Sequence, residues 1–201
     1  FFGVQFLGAL NDNVFKQALV ILLTYSTARY TTMSTDILPN LAQALFVLPF
    51  FLFSATAGQL ADKYEKSRLI SITVAIEFAC MALGAAGFFL HSLPLLFVAL
   101  FLGGVQSALF GPVKYAILPQ HLKESEIVGG NGMVEMGTSV AILVGMMLGG
   151  WLVAQEGWGV TAAAFVTMGI SATGFLLSRL IPLAPAAAPE LKINWNPFTE
   201  T

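Results

Sequence analysis

The sequence predicts an all-α membrane protein with six transmembrane helices, and three observations predict it. Hydrophobic residues make up 57% of the chain and charged residues only 10%, against about 25% charged in an ordinary soluble domain, and mean hydropathy is +0.80. Apolar runs near the roughly 20 residues needed to cross a bilayer recur along the whole chain. The few Lys and Arg residues fall lopsidedly between those runs.

The runs lie near Phe1 to Tyr25, Ile37 to Leu60, Leu69 to Leu90, Leu93 to Ile117, Ile127 to Val153 and Val160 to Leu180. Between the second and third, the stretch from Gly58 to Arg68 gathers five charged residues: Asp62, Lys63, Glu65, Lys66 and Arg68. This charged island is the connection between two membrane-length segments. Its side of the membrane also collects Lys114, Lys123, Arg179 and Lys192, so seven of the nine Lys and Arg fall there. The opposite connections hold only Arg29, and Lys16 lies inside the first span. By the positive-inside rule the island faces the cytoplasm, with both ends of the chain on the same side. After residue 180 the prolines Pro182, Pro185 and Pro189 interrupt any helix, so the expected organisation is a six-helix bundle over 1–180 and a cytoplasmic linker over 181–201 that continues toward a further membrane segment.

Composition also excludes classes of function. A net charge of -2 with no basic face gives no reason to expect a nucleic-acid partner. The lone Cys80 admits no disulfide framework and reads as packing. No metal-spaced His/Cys cluster and no phosphate-cradling glycine loop occurs, so no enzyme activity, catalytic residue, metal or cofactor is expected of this chain. His91 and His121 fall at helix ends and read as solvated. Asp12 and Lys16 interrupt the first span where a signal peptide needs an unbroken apolar core.

Ionisable residues inside a membrane are costly and therefore point to cavities and partners. On a helical wheel Gln5, Asp12, Asn13, Lys16, Gln17 and Thr24 share an arc of about 140° of the first span. Asp12 and Lys16, four apart with the acid first, suit either an ion pair or the wall of a cavity for a charged or zwitterionic solute. Glu77 has no cation near it in sequence, and either pairs with another helix or is held protonated. Pro112 should kink the fourth span and turn Lys114 inward, where Lys114 and Glu135 suit either a bridge or a role in head-group handling or gating. Small residues four apart mark close helix contacts in lipid. The expected rows are Gly103, Ser107 and Gly111 in the fourth span, with Gly104 and Ala108 beside them, and Gly137, Ala141, Gly145 and Gly149 in the fifth.

The island motif Gly58-x-x-x-Asp62-Lys63-x-x-Lys66-x-Arg68 resembles the loop between helices two and three of major facilitator superfamily transporters. Here Glu65 stands where that family usually has glycine, and Ser67 interrupts the basic run. Gly145-Met146-Met147-Leu148-Gly149-Gly150 is similar to the family's antiporter motif, with Met146 in place of proline and Ala141 in place of the leading glycine. The fourth span lacks the membrane arginine of proton-coupled members. Three more stretches, Gln5-Phe6-Leu7-Gly8-Ala9-Leu10-Asn11-Asp12-Asn13, Gly111-Pro112-Val113-Lys114-Tyr115-Ala116-Ile117-Leu118 and Asn131-Gly132-Met133-Val134-Glu135, resemble the bacterial lysophospholipid transporter family. The linker Lys192 to Phe198 fits the same family.

That resemblance implies the N-terminal half of a twelve-helix transporter in a bacterial inner membrane. It implies a lysophospholipid flipped to the inner leaflet for reacylation, with an ethanolamine or glycerol head group. The partners it implies are the lipid bilayer, a C-terminal six-helix half, and an acyltransferase and acyl-carrier-protein synthetase that are fused in some members. Asp12 corresponds to a helix-one acid implicated in the family's transport, and Lys114 to a cavity-side lysine. Asp12, Asn13, Lys16, Gln17, Glu77, Lys114 and Glu135 are the expected substrate-binding residues; Gly58, Asp62, Lys63, Lys66 and Arg68 form the conformational motif. Two other readings stand beside this one: an exporter of a small drug-like or polar solute, and a membrane anchor for an enzyme domain.

Overall fold

A computed structural model of the chain describes residues 1–32 and 37–194. Asp36 and the linker stretch from Trp195 onward lie outside the described residues. The helices are α1 (Phe2–Tyr25), α2 (Leu38–Lys63), α3 (Lys66–Phe89), α4 (Leu93–Ala116), the short α5 (Leu118–His121), α6 (Ile127–Val153) and α7 (Gly159–Ser178). All but α5 are long and apolar enough to cross a membrane, and among the described residues no strand occurs.

Local chemistry sets the helix boundaries. Pro39 and Pro94 sit in the first turns of α2 and α4, where a missing N–H leaves no intrahelical bond unmade. The α3–α4 reversal takes three residues, with His91 in the left-handed region at φ 49° and the Ser92 N–H donating to Gly87 O at 2.9 Å. The island is tighter than the sequence suggested. Rather than ending at Leu60, α2 runs on through Asp62 and Lys63, and only Tyr64 and Glu65 separate it from α3. Glu65 makes so short a break feasible. Its carboxylate caps α3, accepting from the Ser67 N–H at 3.0 Å and the Arg68 N–H at 2.7 Å. Its φ of -63° needs no glycine.

Close contacts, not burial from water, hold such helices together. A Cβ on Gly145 would meet Leu10 O at 2.6 Å, and one on Gly149 would meet Val14 O at 2.5 Å, so this row of α6, with Ala141 fully buried, lies directly on the α1 backbone. In α4 the contact falls on the adjacent pair, Gly104 and Ala108, rather than on the aligned row. A Cβ on Gly103 or Gly111 would meet nothing within 4 Å, whereas one on Gly104 would strike Phe46 O at 2.4 Å. The contact with α2 therefore runs through Gly104 and the buried Ala108, and Gly103, Ser107 and Gly111 face elsewhere. Helix α3 packs between α4 and α7, and α1 also rests on α7. Cys80 lies in an apolar cluster with Phe15, Met81 and Phe88. Large apolar side chains such as Phe51, Leu143 and Leu176 point outward, the arrangement that a lipid surrounding requires.

The segment after α7 is not a free linker. Ile181 and Ala184 are buried against Val4 and Ile70. The Ala184 N–H donates to Glu65 Oε1 at 2.7 Å, and the Lys66 N–H donates to Ala184 O at 2.9 Å. Further along, the Ala188 N–H donates to Asp62 O at 2.8 Å, and Gln59 exchanges two hydrogen bonds with the Asn194 backbone. Residues 181–194 thus form a strap across the charged island.

Candidate functional site

A cavity of about 380 Å³ opens among α1, α2, α3, α4 and α6. From α1 it receives Gln5, Asp12, Asn13 and Lys16; from α3, Glu77; from α4, Gln106, Ser107 and Lys114. Phe46, Phe50, Ile142 and Met146 supply an apolar wall. Gly111 also lines it, which explains why no neighbour crowds that position.

Each polar side chain is placed by a neighbour. Ser107 Oγ donates to Asp12 Oδ2, linking α4 to α1 across the cavity floor. Asn11 Nδ2 donates to Glu77 Oε1 at 2.7 Å. Gln5 donates to Thr138 Oγ1 on α6, and Asn13 Nδ2 donates back to Ala9 O at 2.8 Å. Lys16 Nζ stands 5.0 Å from the centre of the Phe46 ring, close enough for a cation–π contact. Lys114 Nζ lies 3.5 Å from Glu135 Oε1, the one ion pair among the described residues, and 4.7 Å from the centre of the Tyr115 ring. Tyr115 also donates to the same Glu135 carboxylate.

The structure therefore brings Asp12, Asn13, Lys16, Glu77 and Lys114 to one cavity. Gln17 does not line it, and Glu135 is exposed outside it as the tether of Lys114. Asp12 and Lys16 do not close the ion pair that their spacing allows, because Asp12 turns to Ser107 and Lys16 to Phe46. Asn11, Gln106 and the Asp12 contact of Ser107 were not anticipated. The wheel puts Asn11 about 100° from Asp12 and off the polar face, although an amide next to Asp12 in an apolar span was a signal. In the island, Lys66 is fully buried and its Nζ donates to Pro185 O at 3.1 Å, whereas Asp62 and Arg68 are exposed.

The cavity thus holds an acid near the middle of α1, cations at Lys16 and Lys114, amide and hydroxyl groups between them, and an apolar flank. Such a lining can accommodate a solute that has a charged part and an apolar part. The fold is a bundle of six membrane-length helices around a partly polar cavity, and the family model described as the Major Facilitator Superfamily matches residues 1–199. The chain belongs to that superfamily.

Among curated proteins it is similar to the lysophospholipid transporter LplT of Enterobacter sp., 32% identical over 199 residues, which are 99% of this chain and 46% of the relative. The LplT of Salmonella heidelberg is 35% identical over 186 residues, 92% of this chain and 42% of the relative. The chain spans a little under half the length of these curated relatives. Two solved structures share the fold. The human organic anion transporter TETRAN superposes with a TM-score of 0.68 at 16% identity, over 94% of this chain and 50% of that one. A bacterial homologue of the iron transporter ferroportin, in an outward-facing state, superposes with a TM-score of 0.64 at 15% identity, over 96% and 50%.

Proposed function

We propose that the chain is the N-terminal six-helix half of a twelve-helix transporter that moves lysophospholipids across a bacterial inner membrane. The observation that carries this reading is the amphiphilic cavity, in which Asp12, Lys16, Glu77 and Lys114 form a polar track beside the apolar wall of Phe46, Phe50, Ile142 and Met146. The relatives named for lysophospholipid transport support the substrate class. The ethanolamine or glycerol head group follows the track, and the acyl chain stays on the apolar side or in lipid.

A second six-helix half, related by an axis along the membrane normal, faces this cavity, and rocking of the two halves gives alternating access. Helices α2 and α6 have the smallest buried share of the six membrane-length helices, as suits helices that flank a cavity closed by another half. The island, the N-terminus and the strap lie on the cytoplasmic side, by charge asymmetry. Lys63 and Arg68 set that orientation, and the exposed Asp62 latches the second half. The delivered lipid is then consumed by a reacylating enzyme, either separate or fused beyond this chain. The test is uptake of labelled lysophosphatidylethanolamine by spheroplasts that express the full-length protein. The reading requires uptake above that of cells lacking the protein, and equal uptake contradicts it.

A further inference from the structure

A second cavity, of about 580 Å³, lies at the end of the bundle remote from the island. It is framed where α1 and α3 end and where the chain turns from α6 into α7. Arg29, Tyr30, His91, Gln155 and Glu156 contribute its polar lining. We propose that this cavity is a docking site for the zwitterionic phosphoethanolamine head group of a lysolipid in the outer leaflet. The proposal rests on the transport reading above and extends it to where the lipid is first held.

The charges fit a phosphodiester joined to an ammonium. Arg29 and Glu156 both line the cavity, yet neither forms an ion pair among the described residues. One site thus presents a cation and an anion that do not neutralise each other. Arg29 is the only Lys or Arg in the connections at this end. It offers a planar donor fork of the kind that binds phosphate oxygens. Tyr30 is half-buried and its ring centre lies 5.6 Å from that of His91. Burial pushes the Tyr30 hydroxyl above its ordinary range, with the Arg29 charge pulling the other way, so at neutral pH it remains a proton donor. From the turn between α6 and α7, Gln155 uses Nε2 on Trp151 O at 3.0 Å, which leaves its Oε1 as an acceptor that, with the Glu156 carboxylate of the same lining, suits an ammonium.

The surroundings favour a lipid as the carrier of that head group. The Trp151 and Trp158 rings meet edge-on with centres 6.0 Å apart, and Phe89 and Phe165 do so at 6.3 Å. All four side chains are exposed. Trp rings belong at the level where head groups meet acyl chains, so a lysolipid held here lays its single chain along them and the neighbouring Phe side chains.

The full-length protein in phosphatidylcholine vesicles, probed with a photoactivatable lysophosphatidylethanolamine, tests the site. Label should fall on residues 88–91 and 153–161, and Arg29→Gln should lower it about tenfold, the loss of one hydrogen bond to a charged group. Glu156→Gln should lower labelling by the ethanolamine lipid and spare a lysophosphatidylglycerol probe. Unchanged labelling in both Arg29→Gln and Arg29→Glu, with helix content retained, overturns the site. Competition by soluble glycerophosphoethanolamine as strong as by the lysolipid overturns the lipid assignment. Labelling here in a protein that takes up no lysophospholipid upholds the site and contradicts the transport reading, whereas uptake without labelling does the reverse.

Discussion

Asn11 and Glu77 meet inside the membrane through a single hydrogen bond of 2.7 Å, and Asn11 Oδ1 is the one buried side-chain polar atom among the described residues without a partner. A glutamine at position 77 can accept from Asn11 Nδ2 and donate to Oδ1, pairing both groups. Glu77→Gln should therefore leave thermal stability in detergent equal or raised. Glu77→Ala, which strands the amide, should cost about 1–3 kcal/mol. Equal stability of the two variants contradicts this account of the pair. At this scale the sequence revealed what charge and wheel position can reveal: Asp12 and Lys16 stand out because ions in a span are costly. Asn11 showed in it only as an amide beside Asp12, since its partner comes from α3, and the burial of Lys66 did not show at all, because the Pro185 carbonyl that receives it lies far along the chain.

Between helices, spacing by four marks a contact without saying which of two adjacent rows makes it. In α4 the rows through Gly103 and Gly104 are both plausible in sequence, and the backbone of α2 lies against the second. Gly145→Leu, which drives a side chain into Leu10 O, should abolish the folded monodisperse species in size-exclusion chromatography. Gly103→Ala, whose Cβ meets no neighbour, should leave stability equal or raise it by up to about 1 kcal/mol. The strap gives a pH prediction. Burial alone would raise the Glu65 pKa from 4.5, but hydrogen bonds from the Ala184 N–H, the Ser67 hydroxyl and the Arg68 and Ser67 N–H groups bring it below that value. A carboxylate with a depressed folded-state pKa contributes stability above its unfolded pKa, and loses it as pH falls through the folded value. Hydrogen-exchange protection of the Ala184 N–H should be full at neutral pH and fade below about pH 4.5, and Glu65→Ala should remove it at every pH. Proline content predicted that helix ends after α7, but not that the segment docks, because the groups it binds are backbone N–H and C=O groups invisible to composition.

For the molecule as a whole, six spans were legible because five of the apolar runs are bounded at both ends by polar or helix-breaking residues; charged residues such as Asp62, Lys63 and Lys66 prolong α2 and α3, and α7 stops at Ser178, short of the expected Leu180. The cavity was half legible. Its polar side follows from the α1 pattern, while its apolar wall comes from α2 and α6 residues that look like any lipid-facing side chain. If the exposed Asp62 latches the second half, Asp62→Asn in the full-length protein should slow transport and leave lysolipid binding intact, and lost binding in a folded variant contradicts that division of roles. The central claim is that the polar face of α1 carries the head group. Lysophosphatidylethanolamine uptake by full-length Asp12→Asn in spheroplasts, at matched expression, tests it most directly. Uptake reduced at least about tenfold is the predicted result, from the loss of a charged contact, and uptake equal to that of the unaltered protein would contradict it.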